Sequence, residues 1–469
     1  MYKQHTRSAS GGEGLGAGGA RLHNGAMAVW GRGRRTRPAA APGRRSSRCR
    51  GLPGALAALA LAAGLAGCGR EEGSAAALTV WAHAGQAAER RVLEAQVARW
   101  NAAHPQARVA LTLLPEGAYG SQVQAAALAG DLPDVLELDG PYVASYAWQG
   151  HLRPLDGLLP QAVVEDLIPS VRAQGTWRGR LYAVGAFDSG LALWARRSLV
   201  EAAGARIPAH PREAWSAREF EALLAALAAR DPDGAVLDLK LNWQGEWYTY
   251  GFSPLLVSAG GDLIDRGRWR AAGTLDGPAS VAAMRAVQGW IRRGYVDPNL
   301  DDAAFVQGRV ALSWSGHWDW PRYRAAWGED LVLVPLPDLG RGSRSGQGSW
   351  AWAVTARARD PELAARFIAF LLRPEEVLAM TAANGAVPGT RAALARSPAH
   401  APGGPLHLYA VQLTQGWTVP RPRTPAYPVV TSAFQQAFAD IRDGVDPRAA
   451  LARAARLIDE DIAANAGYR

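Results

Sequence analysis

The sequence predicts an α/β protein built of two lobes. Short apolar stretches with the composition of strands alternate with segments whose apolar residues recur at helical spacing. Strands that alternate with helices form parallel sheets covered by helices on both faces. The chain has 469 residues, whereas a single hydrophobic core stops growing at about 250–300 residues. A two-lobe α/β architecture accounts for all three observations.

The predicted elements follow one another along most of the chain after residue 77. Strands are expected at 78–81, 109–113 and 134–138, and helices at 87–103, 121–129, 217–229, 281–293, 360–372, 431–442 and 447–464. Parallel sheets bind ligands at the carboxyl ends of their strands. The loops that follow Trp81, Leu113 and Leu138 are therefore candidate binding loops.

Residues 1–67 have the pattern of a targeting leader. A basic segment at 44–50 precedes an apolar run at 55–66. That run is too short for a membrane-spanning helix, which needs about 20 apolar residues, and it fits the apolar region of a signal peptide. Signal peptides are normally about 15–30 residues long. Met27 offers an internal start, so we expect residues 1–26 not to be translated.

Cys68 directly follows the apolar run in the sequence Leu65-Ala66-Gly67-Cys68, which resembles the lipobox of bacterial lipoproteins. The chain has two cysteines, and Cys68 is the one that would remain after cleavage. A disulfide within the mature chain therefore cannot explain it. We expect Cys68 to carry a lipid and residues 68–77 to form a tether; the alternative is an ordinary signal peptide followed by an incidental cysteine.

The formal net charge of +9 belongs to the leader and not to the folded chain. Residues 1–67 hold 11 of the 51 Lys and Arg and one of the 42 Asp and Glu. The remainder has 40 basic and 41 acidic residues, a net charge of −1. Nucleic-acid binding requires clustered basic residues, so the charge predicts no such partner.

Several segments, in the same order along the chain, resemble the family 1 extracellular solute-binding proteins, which include the maltose-binding-protein-like receptors of sugar ABC importers. These segments are 130–135, 150–156, 182–196, 259–262, 305–312, 315–318 and 384–388. At 194–196 the sequence Trp-Ala-Arg replaces the Tyr-Asn-Lys that is usual in the family. The resemblance covers nearly all of the chain from residue 78.

The resemblance implies a type II periplasmic-binding-protein-like fold, with a ligand held in a cleft between two lobes joined by several crossing segments. We expect residues 78–187 plus about 300–352 in the first lobe, and 188–299 plus about 353–469 in the second. It also implies a monomeric receptor, anchored outside the cytoplasm, that delivers a small neutral carbohydrate to membrane permease subunits. It implies no cofactor, no metal and no catalysis.

Aromatic residues are the first candidates for ligand binding, because 17 tryptophans remain after the leader. The indole ring suits the CH face of a pyranose, while carboxylates and amides bind its hydroxyl groups. Trp318 matches a sugar-stacking tryptophan of the family; the alternative is a core residue below the hinge. Trp243, Glu246, Trp247 and Tyr248 form an aromatic and acidic segment that either lines the cleft or packs as a surface loop.

Six further candidates lie at strand ends or near expected crossing segments. Asp188 falls where relatives place a ligand-binding acid, and Asp139 follows the third strand, although a turn or cap role is the alternative for both. The others are His83 and Gln86 after the first strand, and Ser349 and Trp350 near the last crossing. Ser349 and Trp350 could instead pack the hinge.

Two other function classes stay open from the residues alone. A secreted glycoside hydrolase needs only two carboxylates, whose separation in space the sequence does not reveal. A lipoprotein sensor or binding module for another polar solute would have the same fold as a transport receptor. Tyr248 and Tyr250 leave iron as a minor option, while the sequence His317-Trp318-Asp319 offers two metal ligands and no third, and we interpret it as structural.

Overall fold

The structure, a computed structural model, describes residues 77–469 with the exception of Gln244. The predicted leader, Cys68 and most of the predicted tether lie outside the described residues. None of the helices in the described part of the chain combines the length and the apolar character that a bilayer crossing requires.

Strands and helices alternate through the described residues, which confirms the predicted α/β class. The strands are β1 (Leu78–His83), β2 (Val109–Leu114), β3 (Val135–Asp139), β4 (Thr176–Trp177), β5 (Arg180–Leu181), β6 (Ala183–Val184), β7 (Phe187–Asp188), β8 (Leu191–Arg196), β9 (Leu237–Asp238), β10 (Leu312–Gly316), β11 (Leu331–Val334), β12 (Ser345–Gln347), β13 (Trp350–Val354), β14 (Val387–Pro388) and β15 (Thr418–Pro420). The helices are α1 (Ala87–Ala103), α2 (Glu116–Ala129), α3 (Val143–Trp148), α4 (Gln161–Asp166), α5 (Pro169–Gln174), α6 (Arg197–Ala202), α7 (Ala217–Ala228), α8 (Trp247–Ala259), α9 (Pro278–Arg292), α10 (Trp320–Trp327), α11 (Pro361–Leu371), α12 (Pro374–Asn384), α13 (Arg391–Leu394), α14 (His407–Thr414), α15 (Tyr427–Arg442) and α16 (Pro447–Ala464).

The first lobe is built on a five-stranded sheet in the order β2-β1-β3-β13-β6. β1 runs parallel to β2 and β3, whereas β13 runs antiparallel to β3 and β6. Helices α1, α11 and α12 pack on one face, where Trp100 meets the edge of Phe367 at 5.4 Å between ring centroids. Helix α2 covers the other face through Tyr119 and Val123.

The second lobe is built on a four-stranded sheet in the order β11-β8-β10-β9. Helices α7, α8, α9, α15 and α16 share one apolar core against this sheet, and α10 packs with Trp194 and Phe305 on the opposite side. Nearly every residue of α8 is buried. A helix that is apolar all round is a central core element, so the residues of α8 are surrounded by protein.

Strand pairing corrects the predicted division of the chain between the lobes. Residues 300–349 contain β10 and β11 and belong to the second sheet, not to the first lobe. β13 pairs with β3, and α11 and α12 pack beneath it, so about 353–394 lie in the first lobe and not in the second. The prediction was wrong here because an antiparallel strand that returns from a distant segment leaves no local pattern.

Two segments cross between the sheets side by side. The first runs from β7 to β8, and the second runs from β12 to β13. An isolated bridge between Gly190 and Gln347 ties the two crossings together. A third passage lies between α13, which packs in the first lobe, and α14, which packs against the second sheet.

Asp134 joins three parts of the first lobe at the start of β3. Its buried carboxylate accepts hydrogen bonds from the backbone N–H and hydroxyl of Thr79, and from the backbone N–H and guanidinium of Arg359, at 2.7–2.9 Å. Burial alone would raise the pKa of Asp134, but the hydrogen bonds from Arg359 and Thr79 outweigh it and hold the pKa well below its ordinary value.

We expect Asp134→Asn to lower the free energy of unfolding by about 2 kcal/mol at pH 7, because hydrogen bonds to a charged group contribute about 1.5–3 kcal/mol. The folded pKa lies below the unfolded value of about 3.9. The difference between the variant and the wild type is therefore full above about pH 4 and shrinks as the pH falls further. Urea unfolding across this range measures it, with the exposed neighbour Asp131→Asn as the control. A variant as stable as the wild type at pH 7 would contradict this role.

Candidate functional site

A buried arginine lies between the two lobes and pairs with two of the predicted acids. Arg421 follows β15, and its side chain is 4% exposed. Its guanidinium donates both terminal N–H groups to Asp139 of the first lobe, at 2.6 and 2.7 Å. It also donates to Glu246 of the second lobe at 2.9 Å. Burial alone would lower the pKa of Arg421, but the two carboxylates raise it, so the guanidinium stays charged.

Glu246 collects hydroxyl donors from both lobes. The hydroxyl groups of Tyr427 and of Thr431, the latter at 2.9 Å, come from α15, and the hydroxyl of Tyr142 approaches from the first lobe at 3.3 Å. Burial raises the pKa of Glu246 above its ordinary value, although Arg421 opposes the shift. The predicted acids Asp139 and Glu246 are thus brought together, by an arginine that the sequence analysis did not select.

Asp188 sits at the first crossing and is 1% exposed. One carboxylate oxygen accepts the N–H groups of Ser189 at 2.8 Å and Gly348 at 3.2 Å, which join the two crossing segments. Burial raises the pKa of Asp188 to about 6, although nearby hydrogen bonds lower it. Among the described residues, Asp188 Oδ2, the hydroxyl of Tyr250 and Nε of Arg421 are buried atoms that find no hydrogen-bond partner of ordinary geometry. They could serve a polar ligand.

Tyr250 connects these charges to a cluster of indole rings. The guanidinium of Arg421 lies 4.8 Å from the centre of the Tyr250 ring, and Trp318 lies 6.2 Å from it. Trp318 also packs 6.2 Å from Trp243 and 6.4 Å from Trp247. Trp243 and Trp318 are partly exposed, whereas Trp247 is buried. The two partly exposed indoles form an apolar surface beside the polar groups; we call them the tryptophan platform.

Two of the predicted ligand-binding aromatics lie in the core. α8 begins at Trp247, whose indole N–H donates to the carbonyl of Leu239 at 3.1 Å. Tyr248 packs on Phe438 and donates its hydroxyl to the carbonyl of Leu241 at 2.8 Å. Tyr248 therefore belongs to the second-lobe core and is corrected as a ligand-binding candidate, while Trp247 supports the platform from behind.

The candidates at the end of the first strand form a separate group in the first lobe, where His83 is the last residue of β1 and Gln86 follows it. The His83 ring lies 2.7 Å from the Glu137 carboxylate and stacks on Trp350 at 3.9 Å between centroids. Gln86 is exposed and precedes α1 as its N-cap, where its backbone N–H donates to Glu89 at 3.4 Å. The structure thus gives Gln86 a capping position. His83 packs with Trp350 and not with the tryptophan platform.

Ser349 lies in a buried polar network at the hinge. Its hydroxyl accepts from Ser189 at 3.0 Å, and Gln174 bonds both its N–H and its carbonyl. The Ser189 hydroxyl also lies 2.9 Å from Nε2 of His317, next to the platform residue Trp318. Burial lowers the pKa of His317 to about 4, so the ring is neutral near pH 7. Ser349 packs the hinge, which was the open alternative for it.

The sequence analysis missed Arg421, Tyr142, Tyr427 and Thr431. Arg421 stands between Pro420 and Pro422, and this rigid setting is the one local signal that could have pointed to it. Among the described residues, no group of three or more His, Cys, Asp or Glu side chains could hold a metal ion. His317 and Asp319 are both buried and bonded within the protein.

Comparison with protein families gives a match to the model described as "Bacterial extracellular solute-binding protein" over residues 95–402, more than half of the chain. A similar curated protein is an uncharacterised lipoprotein from the oleD 5′ region of Streptomyces antibioticus. It is 25% identical over 314 residues, which cover 63% of this chain and 67% of that protein.

Three solved structures are similar over most of the described chain. The GacH receptor of Streptomyces glaucescens has 23% identity and a TM-score of 0.70, with 82% of this chain and 98% of that chain covered. The cyclic α-maltosyl-1,6-maltose binding protein of Arthrobacter globiformis has 22% identity and a TM-score of 0.67, with 82% of this chain and 98% of that chain covered. The sugar-binding protein MalE of Xanthomonas citri has 20% identity and a TM-score of 0.66, with 83% of this chain and 98% of that chain covered. At these identities the likeness establishes the fold.

We expect Asp188→Asn to change how stability depends on pH. The folded pKa of about 6 lies above the unfolded value of about 3.9. The folded wild type therefore keeps a proton that the unfolded chain releases, and its stability falls as the pH rises from about 4 to 6. Relative to the wild type, the variant should gain on the order of 2 kcal/mol of unfolding free energy across this window.

Urea unfolding of the ligand-free chain at pH 4, 5, 6 and 7 measures this difference. The matched control is Asp156→Asn, which changes an exposed carboxyl of the first lobe. Parallel curves for Asp188→Asn and the wild type would show that folding does not shift the pKa of the Asp188 carboxyl.

Proposed function

The chain belongs to the bacterial extracellular solute-binding proteins, and from this premise we propose that it is a receptor that captures a neutral mono- or oligosaccharide between its lobes. Membership confirms the family resemblance seen in the sequence segments. The observation that carries the carbohydrate class is the tryptophan platform, where Trp243 and Trp318 lie partly exposed beside Tyr250 and the buried polar groups.

The proposed ligand contacts follow from sugar chemistry. A pyranose has apolar CH faces, which pack on indole rings, and a rim of hydroxyl groups, which need both donors and acceptors. Trp318 would take the ring face. Asp188 Oδ2, the Tyr250 hydroxyl and Arg421 Nε would offer the sugar hydroxyl groups an acceptor, a hydroxyl group and a donor, respectively. Buried polar groups of this kind discriminate strongly against ligands that lack the matching hydroxyl.

Similar proteins support the carbohydrate class. The GacH receptor is described in complex with acarbose and an acarbose homologue, and the Arthrobacter globiformis protein as binding a cyclic maltosyl-maltose. We extend from them only the class of ligand, because the residues around Arg421 and Trp318 decide which sugar fits.

Capture would proceed by closure of the lobes. A ligand that touches both lobes binds the closed arrangement better, and only this difference in affinity shifts the equilibrium. The first lobe would contact the ligand through Asp139 and Tyr142, and the second lobe through Glu246 and Trp318. Arg421 would keep the facing carboxyl groups of Asp139 and Glu246 oriented while the cleft is without ligand.

We further propose that a lipid on Cys68 anchors the receptor outside the cytoplasm, and that ABC importer permease subunits recognise its closed form. The family and the lipoprotein relative support this placement. The receptor would act as a monomer and without catalysis. A lipoprotein sensor is the alternative. Receptor-dependent sugar uptake by membrane vesicles that carry ABC importer permease subunits would favour transport, and receptor-dependent signalling without uptake would favour sensing.

The experiment that tests the proposal uses residues 69–469, expressed without the lipid signal. Intrinsic tryptophan fluorescence and melting temperature would be followed against mono- and oligosaccharides, polyols and amino acids. A ligand at 100 times its Kd should add about 2.7 kcal/mol of stability. A response confined to one carbohydrate series supports the proposal. No response to any carbohydrate, with a shift for an amino acid or another polar solute, would overturn it.

We expect Trp318→Ala to raise the Kd for the identified sugar at least about tenfold, because stacking on an aromatic ring is lost. The melting temperature without ligand should change by only a few degrees, since Trp318 is partly exposed. Titration calorimetry measures the Kd. Trp148→Ala, which removes a 39% exposed indole outside the platform, is the matched control. A large loss of stability with binding intact would assign Trp318 to the core.

A further inference from the structure

A continuous chain of ion pairs lies beneath the tryptophan platform. Lys240 Nζ lies 2.8 Å from Asp302, whose other oxygen lies 2.8 Å from Nη1 of Arg322. Nε of Arg322 lies 2.6 Å from Asp319. The two ends of this ion chain are buried, since Lys240 is 0% exposed and Asp319 is 2% exposed. The side chains of Asp302 and Arg322 between them are exposed by 39% and 34%.

Each end of this ion chain belongs to a loop that carries one platform tryptophan. The carbonyl of Lys240 accepts the backbone N–H of Trp243 at 3.0 Å, and Lys240 Nζ lies 5.5 Å from the centre of the Trp243 ring. Asp319 directly follows Trp318 in the same short helical turn. Asp302 and Arg322 thus connect two loops that are far apart in sequence and adjacent in space.

Lys240 is held in a costly arrangement. Its φ is +54°, in the left-handed region that non-glycine residues rarely adopt. Its ammonium group is fully buried and also pairs with Asp238 at 2.6 Å. Strained backbone and buried charge persist only where surrounding interactions determine them, and they are concentrated at binding sites. A leucine at this position would avoid the cost of the buried charge, although it would share the backbone strain.

We propose that Asp302 and Arg322 are positioning residues that hold the loops of Trp243 and Trp318 together, so that the two indoles act as one ligand-binding surface. The proposal rests on the proposed function. Neither side chain needs to touch the ligand, because each acts through a loop: Asp302 through Lys240, and Arg322 through Asp319. The 6.2 Å separation of the two ring centroids is the quantity that the ion chain sets.

The test variant is Asp302→Asn. The amide keeps the shape of the carboxylate but loses its charge and one acceptor, so it cannot bind both Lys240 and Arg322 as the carboxylate does. Lys240 keeps Asp238 and Arg322 keeps Asp319, so no buried charge is left alone and the chain should fold. We expect the Kd for the identified sugar to rise about tenfold, which corresponds to 1.4 kcal/mol, with a melting temperature within a few degrees of the wild type.

The matched control is Asp301→Asn at the adjacent position. Asp301 pairs with Arg309 on the surface, outside the ion chain. Arg322→Lys is a second variant: it keeps the charge but lacks the planar fork that serves Asp302 and Asp319 together. We expect it to weaken binding in the same direction as Asp302→Asn, whereas Asp301→Asn should bind as the wild type does.

Near-ultraviolet circular dichroism separates positioning from general stability, because it reports the mutual orientation of indole rings. We expect a changed tryptophan signal in ligand-free Asp302→Asn and an unchanged one in Asp301→Asn. An unchanged signal and Kd in both Asp302→Asn and Arg322→Lys would overturn the positioning role. If the wild type binds no carbohydrate, the proposed function fails, and the circular dichroism of the ligand-free variants then decides the positioning role by itself.

Discussion

The arrangement of the two lobes depends on one buried guanidinium. Arg421 pairs in bidentate fashion with Asp139 of the first lobe and also bonds Glu246 of the second. Removing a buried charge from its partners typically costs about 3–5 kcal/mol, so these three residues constrain one another strongly. The hydroxyl groups of Tyr142, Tyr427 and Thr431 complete the surroundings of Glu246. The start of α8, the first turns of α15 and the end of β3 are thus held together around Arg421 and Glu246.

The hinge and the proposed binding surface are built from connected parts. Ser189 and Ser349 bond to each other across the two crossing segments, and Ser189 lies beside His317. His317 immediately precedes Trp318, so the residue that would stack on a sugar is one peptide bond from the hinge network. This continuity gives a physical route by which a ligand on the platform could favour one lobe arrangement, which is what a population shift between open and closed forms requires.

Several features of the fold and the site could be predicted from the sequence. Helices α7 and α16 were recognised nearly to their ends because their apolar residues repeat at helical spacing. Trp243 and Glu246 were selected by composition, Asp188 and Trp318 by family resemblance, and Asp139 by its position after a strand; the structure places all five around Arg421 and Tyr250. Tyr248 was misplaced because aromatic residues at the start of a helix look alike whether they face a cleft or a core.

The sequence by itself determined what depends on short-range pattern: the alternation of strands and helices, the excess of tryptophan and the family. The tertiary structure alone decided what depends on distant partners. Asp139 and Arg421 are 282 positions apart, and β13 pairs with β3 although residues 140–349 lie between them. Neither pairing leaves a periodic pattern or a fixed spacing in the sequence, because backbone hydrogen bonds and ion pairs form between whichever groups the fold brings within reach.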